Sequence, residues 1–311
     1  MKAIIVQAPG GAENLAIQDV DKPTIASGEV LIQVKAISIN PVDIKTRNGK
    51  GIYGRIKDQS PLILGWDVSG VVVESQDAKF KIGDEVFGMV NFPGHGRAYA
   101  EYVAAPASHL ALKPQNISHE EAAAATLVAL TAWQALVTNA NVQKGQKVLI
   151  HAASGGVGHI AVQIAKHLGA MVVGTSSAKN KDFVLGLGAD GHIDYNSFDW
   201  VAHPREFDFV LDTIGGDNID RSLEVTKEGG SIISIPTGLN EEVTARAAAK
   251  GVKGYFILVE SNGGDMEKIA SLLEKGILKP YIFKTYGFDK IQGAHQQQET
   301  GRTVGKIVVI P

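Results

Sequence analysis

Short apolar runs separated by turn-forming residues fill the first part of the chain. Clear examples lie at residues 30–38, 69–75 and 99–106, and Gly, Pro and Asp stand between such runs. Apolar segments of this length, bounded by turn residues, are typical of strands in an all-β unit. The pattern over residues 1 to about 115 therefore predicts a compact, barrel-like β domain.

The pattern changes at Ser118. Ser118 and Glu121 have the three-residue spacing of a capping box, and the Ala- and Leu-rich stretch that follows predicts one long helix. Beyond it, apolar strands alternate with helices. The predicted strands include residues 147–153, 171–176, 207–214, 230–236 and 254–259. Continuous apolar strands that alternate with helices are typical of a parallel sheet covered on both faces.

The C-terminal part changes character again. Residues 265–275 predict an amphipathic helix, which Gly276 ends, and the final strand GKIVVIP is similar in style to the N-terminal strands. We therefore expect the chain to return to its first domain. The predicted domains are residues 1–120 with 262–311, and residues 121–261.

The segment HAASGGVGHIAVQIAKHLGA, residues 151–170, predicts a nucleotide-binding turn. From Ala153 it has the form A-x-G-x-x-G, with a strand before it and an amphipathic helix after it. Gly155 allows the backbone to approach a pyrophosphate at the helix N-terminus, and Gly158 allows the helix to pack close to the strand. The predicted contacts in this turn are Ser154, Gly155, Gly156, Val157 and Gly158.

The end of the second strand of this domain indicates which dinucleotide binds. NAD sites usually place a carboxylate there for the ribose 2′-hydroxyl. Here the strand ends Gly-Thr-Ser-Ser, and Lys179 follows at once. Because small hydroxyls and a cation suit a 2′-phosphate, the sequence predicts NADPH, bound through Thr175, Ser176 and Lys179. Lys181 is better explained as part of a solvated helix start.

Composition excludes several classes of function. The chain has 311 residues, a net charge of -3 and no long basic run, so nucleic acid is not an expected partner. Since it contains no cysteine, it has no disulfide, thiol nucleophile or Cys-ligated zinc. The N-terminus is not of the signal-peptide type, and no apolar run is long enough to span a membrane. We expect a cytoplasmic protein.

Several motifs, taken together, resemble the medium-chain dehydrogenase/reductase family, and within it the zinc-free, zeta-crystallin-like quinone oxidoreductases. Besides the glycine-rich turn, they lie at residues 38–49, 61–72, 81–88, 99–104, 130–136 and 305–309. The resemblance implies an α/β protein with a GroES-like β-barrel domain, formed by both chain ends, and a Rossmann doubly wound parallel sheet domain. It also implies a homodimer formed through the last Rossmann strand, at residues 254–259.

The family contains zinc-dependent and zinc-free members. Zinc-dependent members carry Cys where this chain has Asn40, and His-Glu where it has Trp66 and Asp67. Without zinc, no Lewis acid polarises an alcohol or a plain ketone, so the substrate must accept hydride readily by itself. Quinones and α,β-unsaturated carbonyls do so, and the resemblance likewise implies NADPH-dependent quinone or enone reduction. An alkenal or enone reductase and a non-catalytic NADPH-binding protein are the alternatives.

Three residues are candidates for the catalytic step. Asn40 and Asp43 belong to the NPVD turn, which in the family faces the nicotinamide. Asn40 either donates a hydrogen bond to the substrate oxygen or stabilises its own turn, and Asp43 fits a structural role better. Tyr53 matches the family's active-site tyrosine, and either delivers a proton or packs against a flat substrate.

The resemblance implies further cofactor contacts. Thr131 corresponds to a contact with the nicotinamide half, and Lys306 could reach the cofactor from the other domain. A plain helix position and a lysine beside an edge strand are the alternatives for these two residues. The other implied contacts are Tyr195, Ile214, Pro236 with Thr237, Phe256 and Leu258.

Overall fold

The computed structural model describes residues 1–236, 238–239 and 242–311. These residues form two compact units, Met1–Leu130 with Val259–Pro311, and Thr131–Leu258. The expectation for Thr237 lies outside the described residues. Within the described ranges, no helix combines the length and the apolar character that crossing a membrane requires.

Short strands dominate the N-terminal part of the first unit. They are β1 (Lys2–Val6), β2 (Leu15–Asp19), β3 (Glu29–Ile39), β4 (Asp67–Ser75), β5 (Glu85–Met89), β6 (Tyr102–Pro106) and β7 (Leu110–Leu112). The helices here are α1 (Pro41–Arg47), α2 (Tyr53–Ile56), α3 (His119–Ala124) and α4 (Leu127–Trp133). β3 is the longest strand, and it pairs antiparallel with both β4 and β6.

The predicted capping box is confirmed, but the single long helix is wrong. Ser118 accepts a hydrogen bond from the Glu121 backbone, and its own N–H donates to the Glu121 carboxylate. The helix is then interrupted between α3 and α4. At the break, the N–H of Leu127 donates to Asp67 Oδ1 at 2.9 Å. A buried carboxylate from β4 thus begins a second helix.

The second unit is a six-stranded parallel sheet with helices between the strands. Its elements are β8 (Lys147–Ile150), α5 (Gly156–His167), β9 (Met171–Ser176), α6 (Lys181–Gly186), β10 (Gly191–Asp194), β11 (Phe207–Asp212), α7 (Asn218–Val225), β12 (Thr226–Ser234), α8 (Val243–Ala248) and β13 (Lys253–Phe256). The strand order is β10-β9-β8-β11-β12-β13. Every neighbouring pair is parallel, so all carboxyl ends meet at one edge. The predicted Rossmann fold class is confirmed.

The C-terminal segment belongs to the first unit. It contains α9 (Gly263–Glu274), β14 (Ile282–Gly287), α10 (Ile291–Glu299) and β15 (Lys306–Ile310). β15 pairs antiparallel with β3, where Val308 faces Ser38, and β14 runs parallel to β15. The last strand therefore brings Lys306 beside the residues that follow β3.

Candidate active site

The glycine-rich turn ends β8 and begins α5. Gly155 is the N-cap of α5 and, as a glycine, has no side chain that could cap this helix. The first N–H groups of a helix have no partner within the helix, and they carry the positive end of its dipole. Because residues 155–157 are partly exposed, this end of α5 fits the pyrophosphate of a dinucleotide.

Gly158 is required for close packing. A β-carbon at this position would lie 2.1 Å from the carbonyl oxygen of Ala152 and 2.7 Å from the α-carbon of Ala153. No side chain tolerates such contacts with backbone atoms, so α5 can approach β8 this closely only with glycine here. The structure thus agrees with the packing role that the sequence predicts for Gly158.

The structure also explains why alanine stands at the first position of the turn. A β-carbon added to Gly174 of β9 would lie 2.7 Å from the β-carbon of Ala153. Gly174 therefore leaves room for the Ala153 methyl group. The neighbouring Ala152 has φ of +47°, a left-handed conformation that is strained for a residue with a β-carbon.

A directional chain of hydrogen bonds lies beneath the turn. Ser222 donates its hydroxyl proton to the carbonyl of Asn218 at 2.7 Å, so it accepts from His151 Nε2 at 3.0 Å. His151 Nδ1 is then an acceptor for the Thr175 hydroxyl at 3.2 Å. Burial lowers the pKa of His151 to about 4, which keeps the ring neutral. This chain connects the ends of β8 and β9 with α7.

Asp212, the last residue of β11, organises the adjacent loop. Its Oδ1 accepts from the N–H of Ile214 at 3.0 Å and from the Asn218 amide at 2.8 Å. Its Oδ2 accepts from the Ser234 hydroxyl at 2.7 Å. Asp212 thereby fixes Ile214 at the carboxyl edge of the sheet, where the isoleucine is 42% exposed.

The groups predicted to contact the 2′-phosphate differ in exposure. The hydroxyl of Thr175 is fully buried and bonded beneath the turn, as described above. Ser176 is 2% exposed; it donates to the Ser177 carbonyl and accepts from His192 Nε2 at 2.8 Å. Contact of either hydroxyl with a phosphate stays a prediction and would require these bonds to break. Lys179 and Tyr195 are exposed.

The remaining cofactor candidates in this unit lie mostly at the same edge. Ile214, Pro236, Phe256 and Leu258 each follow or end one of the strands β11, β12 and β13. The Ser154 hydroxyl accepts from the Asn180 amide at 3.1 Å. Thr131, by contrast, is buried within α4. Cofactor contact by these residues stays a prediction.

In the first unit, the NPVD turn is held by a buried polar cluster. Asn40 is the N-cap of α1, and its backbone N–H donates to Asp43 Oδ2 at 2.7 Å. The Asn40 side chain donates to Asp67 Oδ2 at 2.7 Å and accepts from the Lys306 ammonium. Its amide is therefore used within the cluster, and donation to a substrate stays a prediction.

Lys306 and the two aspartates are almost completely removed from solvent. The Lys306 ammonium donates to the Ile39 carbonyl at 2.8 Å and lies 3.7 Å from Asp67 Oδ2. Burial lowers its pKa. Burial also raises the pKa of Asp43, to about 7. These contacts place Lys306 at the NPVD turn, and a contact with the cofactor stays a prediction.

Tyr53 occupies a different position. It is the first residue of α2 and is half-buried. Gly49 packs beside it, since a β-carbon there would lie 4.0 Å from the Tyr53 ring. Both interpretations of Tyr53, proton delivery and packing against the substrate, stay predictions.

The polar clusters also contain several residues for which the sequence predicts no role at this site. They are Arg47, Tyr99 and His295 in the first unit, and His151, Asp212 and Ser222 in the second. A signal existed for two of them, because His151 and Asp212 are polar residues at the carboxyl ends of apolar strands. Contacts of the others depend on residues far away in the sequence.

Comparison with known proteins agrees with this architecture. Residues 26–115 match the family described as alcohol dehydrogenase GroES-like domain, and residues 187–309 match zinc-binding dehydrogenase. The chain is 36% identical to 2-methylene-furan-3-one reductase of Solanum lycopersicum, over 100% of its own length and 79% of that protein. The chain belongs to the medium-chain dehydrogenase/reductase family, in its zinc-free quinone oxidoreductase branch.

Two further members of this family are similar over the whole chain. The NADPH-dependent alkenal/one oxidoreductase of Arabidopsis thaliana, a chloroplastic protein, is 34% identical over 100% of this chain and 80% of that protein. The structure of the quinone oxidoreductase from Coxiella burnetii superimposes with a TM-score of 0.94 at 36% identity, covering 100% of this chain and 99% of that one. The family resemblance predicted from the motifs is confirmed.

The zinc named in one family description does not match the donor atoms of this chain. By the family resemblance, the positions of the Cys and the His-Glu pair of zinc-dependent members hold Asn40, Trp66 and Asp67 here, and the chain has no cysteine. Trp66 is fully buried and donates its indole N–H to the Gly94 carbonyl at 2.7 Å. Over residues 1–236, 238–239 and 242–311, no group of three or more His, Asp or Glu side chains is arranged to hold a metal ion.

Proposed function

We propose that this protein is an NADPH-dependent reductase that transfers hydride to a quinone or another conjugated carbonyl. The observation that carries the proposal is the uncapped N-terminus of α5, where a buried Gly158 brings the helix against β8. This arrangement, at the carboxyl edge of a six-stranded parallel sheet, fits a dinucleotide. The choice of NADPH and of conjugated carbonyls is supported by the names of the relatives, which include an NADPH-dependent alkenal/one oxidoreductase and a 2-methylene-furan-3-one reductase.

The chain's own residues bind and orient the reactants. The N–H groups of residues 156–158 would hold the pyrophosphate, Lys179 and Tyr195 would bind the adenosine half, and Ile214 would contact the ribose. Pro236, Phe256 and Leu258 would contact the nicotinamide. NADPH, when bound, supplies the hydride.

Asn40 and Trp66 do not bind zinc, so no metal ion stabilises the negative charge that develops on the acceptor oxygen. A hydrogen-bond donor must stabilise that charge instead. Tyr53 is the proposed donor, because this tyrosine is half-buried and not fully enclosed. The Asn40–Asp43 turn positions this part of the site. A conjugated acceptor suits such a site, since its negative charge spreads over several atoms.

The reaction is tested by the oxidation of NADPH in the presence of a naphthoquinone and of an acyclic enone. We expect turnover with NADPH, and a rate with NADH that is lower by at least tenfold. Lys179→Ala should raise the KM for NADPH and leave the KM for NADH unchanged, while Lys275→Ala, at the exposed C-terminal end of α9, serves as the control. Binding of NADPH without oxidation by any quinone or enone would show a non-catalytic binding protein.

An enone reductase is the second candidate. It is favoured by the activities for which two relatives are named, one a 2-methylene-furan-3-one reductase and the other an alkenal/one oxidoreductase. Both candidates use the same hydride geometry, so the ratio of kcat/KM values for the enone and the naphthoquinone separates them. A ratio well above one would identify the enone as the preferred class.

We also propose a homodimer that forms through β13. This strand lies at the edge of its sheet, and Tyr255 and Phe256 are 47% and 42% exposed. An exposed apolar edge strand is suited to pairing with a second copy. Light scattering should give a dimer for the wild type and a monomer for Tyr255→Lys; a wild-type monomer would contradict the proposal.

We also propose that the protein is located in the cytoplasm. Imaging of a fluorescent fusion in the native cell tests this location.

A further inference from the structure

A buried chain of polar side chains in the first unit ends on Asp43. Arg47, the last residue of α1, is 1% exposed and pairs with Glu299 of α10. Its Nη1 lies 3.2 Å from Nδ1 of His295, which is also on α10. His295 Nε2 lies 3.0 Å from the Tyr99 hydroxyl. That hydroxyl in turn donates to Asp43 Oδ2 at 2.9 Å.

The direction of every hydrogen bond in this chain is fixed. Arginine only donates, so His295 Nδ1 must accept from Arg47. The ring hydrogen is then on Nε2, which donates to the Tyr99 oxygen and leaves the Tyr99 proton for Asp43. Burial, together with the Arg47 guanidinium, lowers the pKa of His295 to about 3. The ring is therefore neutral at ordinary pH. All three hydrogen bonds then run in the same donor-to-acceptor direction, from Arg47 to Asp43.

Within this series of hydrogen-bonded side chains, Asp43 is the residue that can be either charged or neutral near neutral pH. Its Oδ2 accepts from the Asn40 N–H and from Tyr99, whereas its Oδ1 and the Thr46 hydroxyl are buried without a partner among the described residues. Burial raises the pKa of Asp43 to about 7, and the negative Asp67 adds to this increase. The charged state therefore depends on its two donors, with Lys306 as the nearby cation.

The titratable and charged groups around Asp43 come from every element that packs here. They are Arg47 on α1, Asp67 on β4, Tyr99 before β6, His295 and Glu299 on α10, and Lys306 on β15. Asp67 already accepts from Ser38, Asn40 and Leu127, and Lys306 is bonded to Ile39 and Asn40. A change of charge near neutral pH is thus expected at Asp43.

We propose that Tyr99, His295 and Arg47 are positioning residues that set the charge of Asp43 and so hold the Asn40–Asp43 turn in the conformation that turnover requires. The proposal rests on the proposed reductase function. Ionised Asp43 binds the Asn40 N–H more strongly than protonated Asp43, because hydrogen bonds to a charged acceptor are the stronger ones. The turn is therefore tight above neutral pH and looser below it.

The first measurement follows the charge of Asp43 without any substrate. The infrared band of a protonated carboxyl group, recorded from pH 5 to pH 9, should disappear with a midpoint near 7. This band should be missing in Asp43→Asn. Tyr99→Phe removes one donor to the charged form, so the midpoint should move up by about one pH unit. Tyr102→Phe, a tyrosine nearby on β6, is the matched control and should leave the midpoint unchanged.

The second measurement is the pH profile of kcat with saturating NADPH. The wild type should gain activity through the infrared midpoint, Tyr99→Phe should show the same step at the higher pH, and Asp43→Asn should show a flat profile. His295→Gln can accept from Arg47 and donate to Tyr99, so it should keep the wild-type step. His295→Leu can do neither and should shift the step in the direction of Tyr99→Phe.

The outcomes separate this proposal from the proposed function. If no quinone or enone is reduced, the reductase function fails. The infrared measurement needs no substrate, so an unshifted midpoint in Tyr99→Phe would still overturn the charge-setting role of Tyr99, His295 and Arg47. If Tyr99→Phe lowers kcat equally at every pH, the residue is merely structural and the proposal is wrong. An activity step that persists in Asp43→Asn would assign that step to another group and would also overturn it.

Discussion

Replacing Asp43 by Asn should change how the stability of the protein depends on pH. The side chain is fully buried, and its pKa rises from 3.8 to about 7 on folding. A carboxyl group with a raised pKa stabilises the fold most when it is protonated. Its contribution is complete below pH 3.8 and is lost as the pH rises to about 7.

The size of this effect follows from the shift. Each pKa unit corresponds to about 1.4 kcal/mol. Most of the loss of stability that the pKa shift causes occurs between pH 5 and pH 8. Over that interval, Asp43 should cost the wild type roughly 3 kcal/mol of its free energy of unfolding. Asp43→Asn keeps an acceptor for the Asn40 N–H and for Tyr99 but cannot ionise, so it avoids this loss.

The assay is urea unfolding of the wild type and of Asp43→Asn at pH 5, 6, 7 and 8. The difference in the free energy of unfolding, variant minus wild type, should increase by roughly 3 kcal/mol in favour of the variant. Because other titrating groups are shared, they cancel in the difference. Asp190→Asn is the control, since this half-exposed carboxylate pairs with Lys166, which lowers its pKa. A difference that stays constant from pH 5 to pH 8 would refute the reasoning.

Three other substitutions test separate parts of the structure. Gly158→Ala should destabilise the protein by at least about 2 kcal/mol and weaken NADPH binding, because its β-carbon meets the Ala152 carbonyl, whereas Gly186→Ala meets nothing within 4 Å; equal stability of the two variants would contradict this. Lys306→Met should cost about 3–5 kcal/mol by leaving Asp67 without its cation, and adding Asp67→Asn should recover part of the loss. A cost that the second change does not reduce would show that the pair is not coupled. Ala152→Gly should raise stability by about 1 kcal/mol by relieving the left-handed φ of +47°, and a lower melting temperature would show that the turn is unstrained.

Much of the regular structure is predictable because periodicity and turn chemistry act locally. The predicted strand 171–176 coincides with β9, and residues predicted as the amphipathic helix 265–275 lie almost entirely in α9. The glycine pattern predicts the turn before α5 because each glycine answers a backbone requirement within a few residues. The break between α3 and α4 was not predictable, since it depends on a carboxylate 60 residues earlier in the chain.

The polar clusters are less predictable because their partners are distant in sequence. Tyr99 meets His295 across 196 residues, and Lys306 meets Asn40 across 266 residues. The sequence allows two roles for Asn40, donation to the substrate or stabilisation of its own turn. The contact with Lys306, which engages the Asn40 side chain, could not be read from the sequence. Likewise, Thr175 and Ser176 look available at a strand end, but His151 and His192 occupy them.

The most direct test of the central claim follows the transferred hydrogen. Purified protein is given an acyclic enone or a naphthoquinone with NADPH that carries deuterium on one face or the other of nicotinamide C4. We predict that deuterium on one face alone slows turnover and, with the enone, appears in the product on the carbon β to the carbonyl. Equal rates with both labelled cofactors and no deuterium in the product, or no oxidation of NADPH by either acceptor, would contradict the assignment of hydride transfer to a conjugated carbonyl.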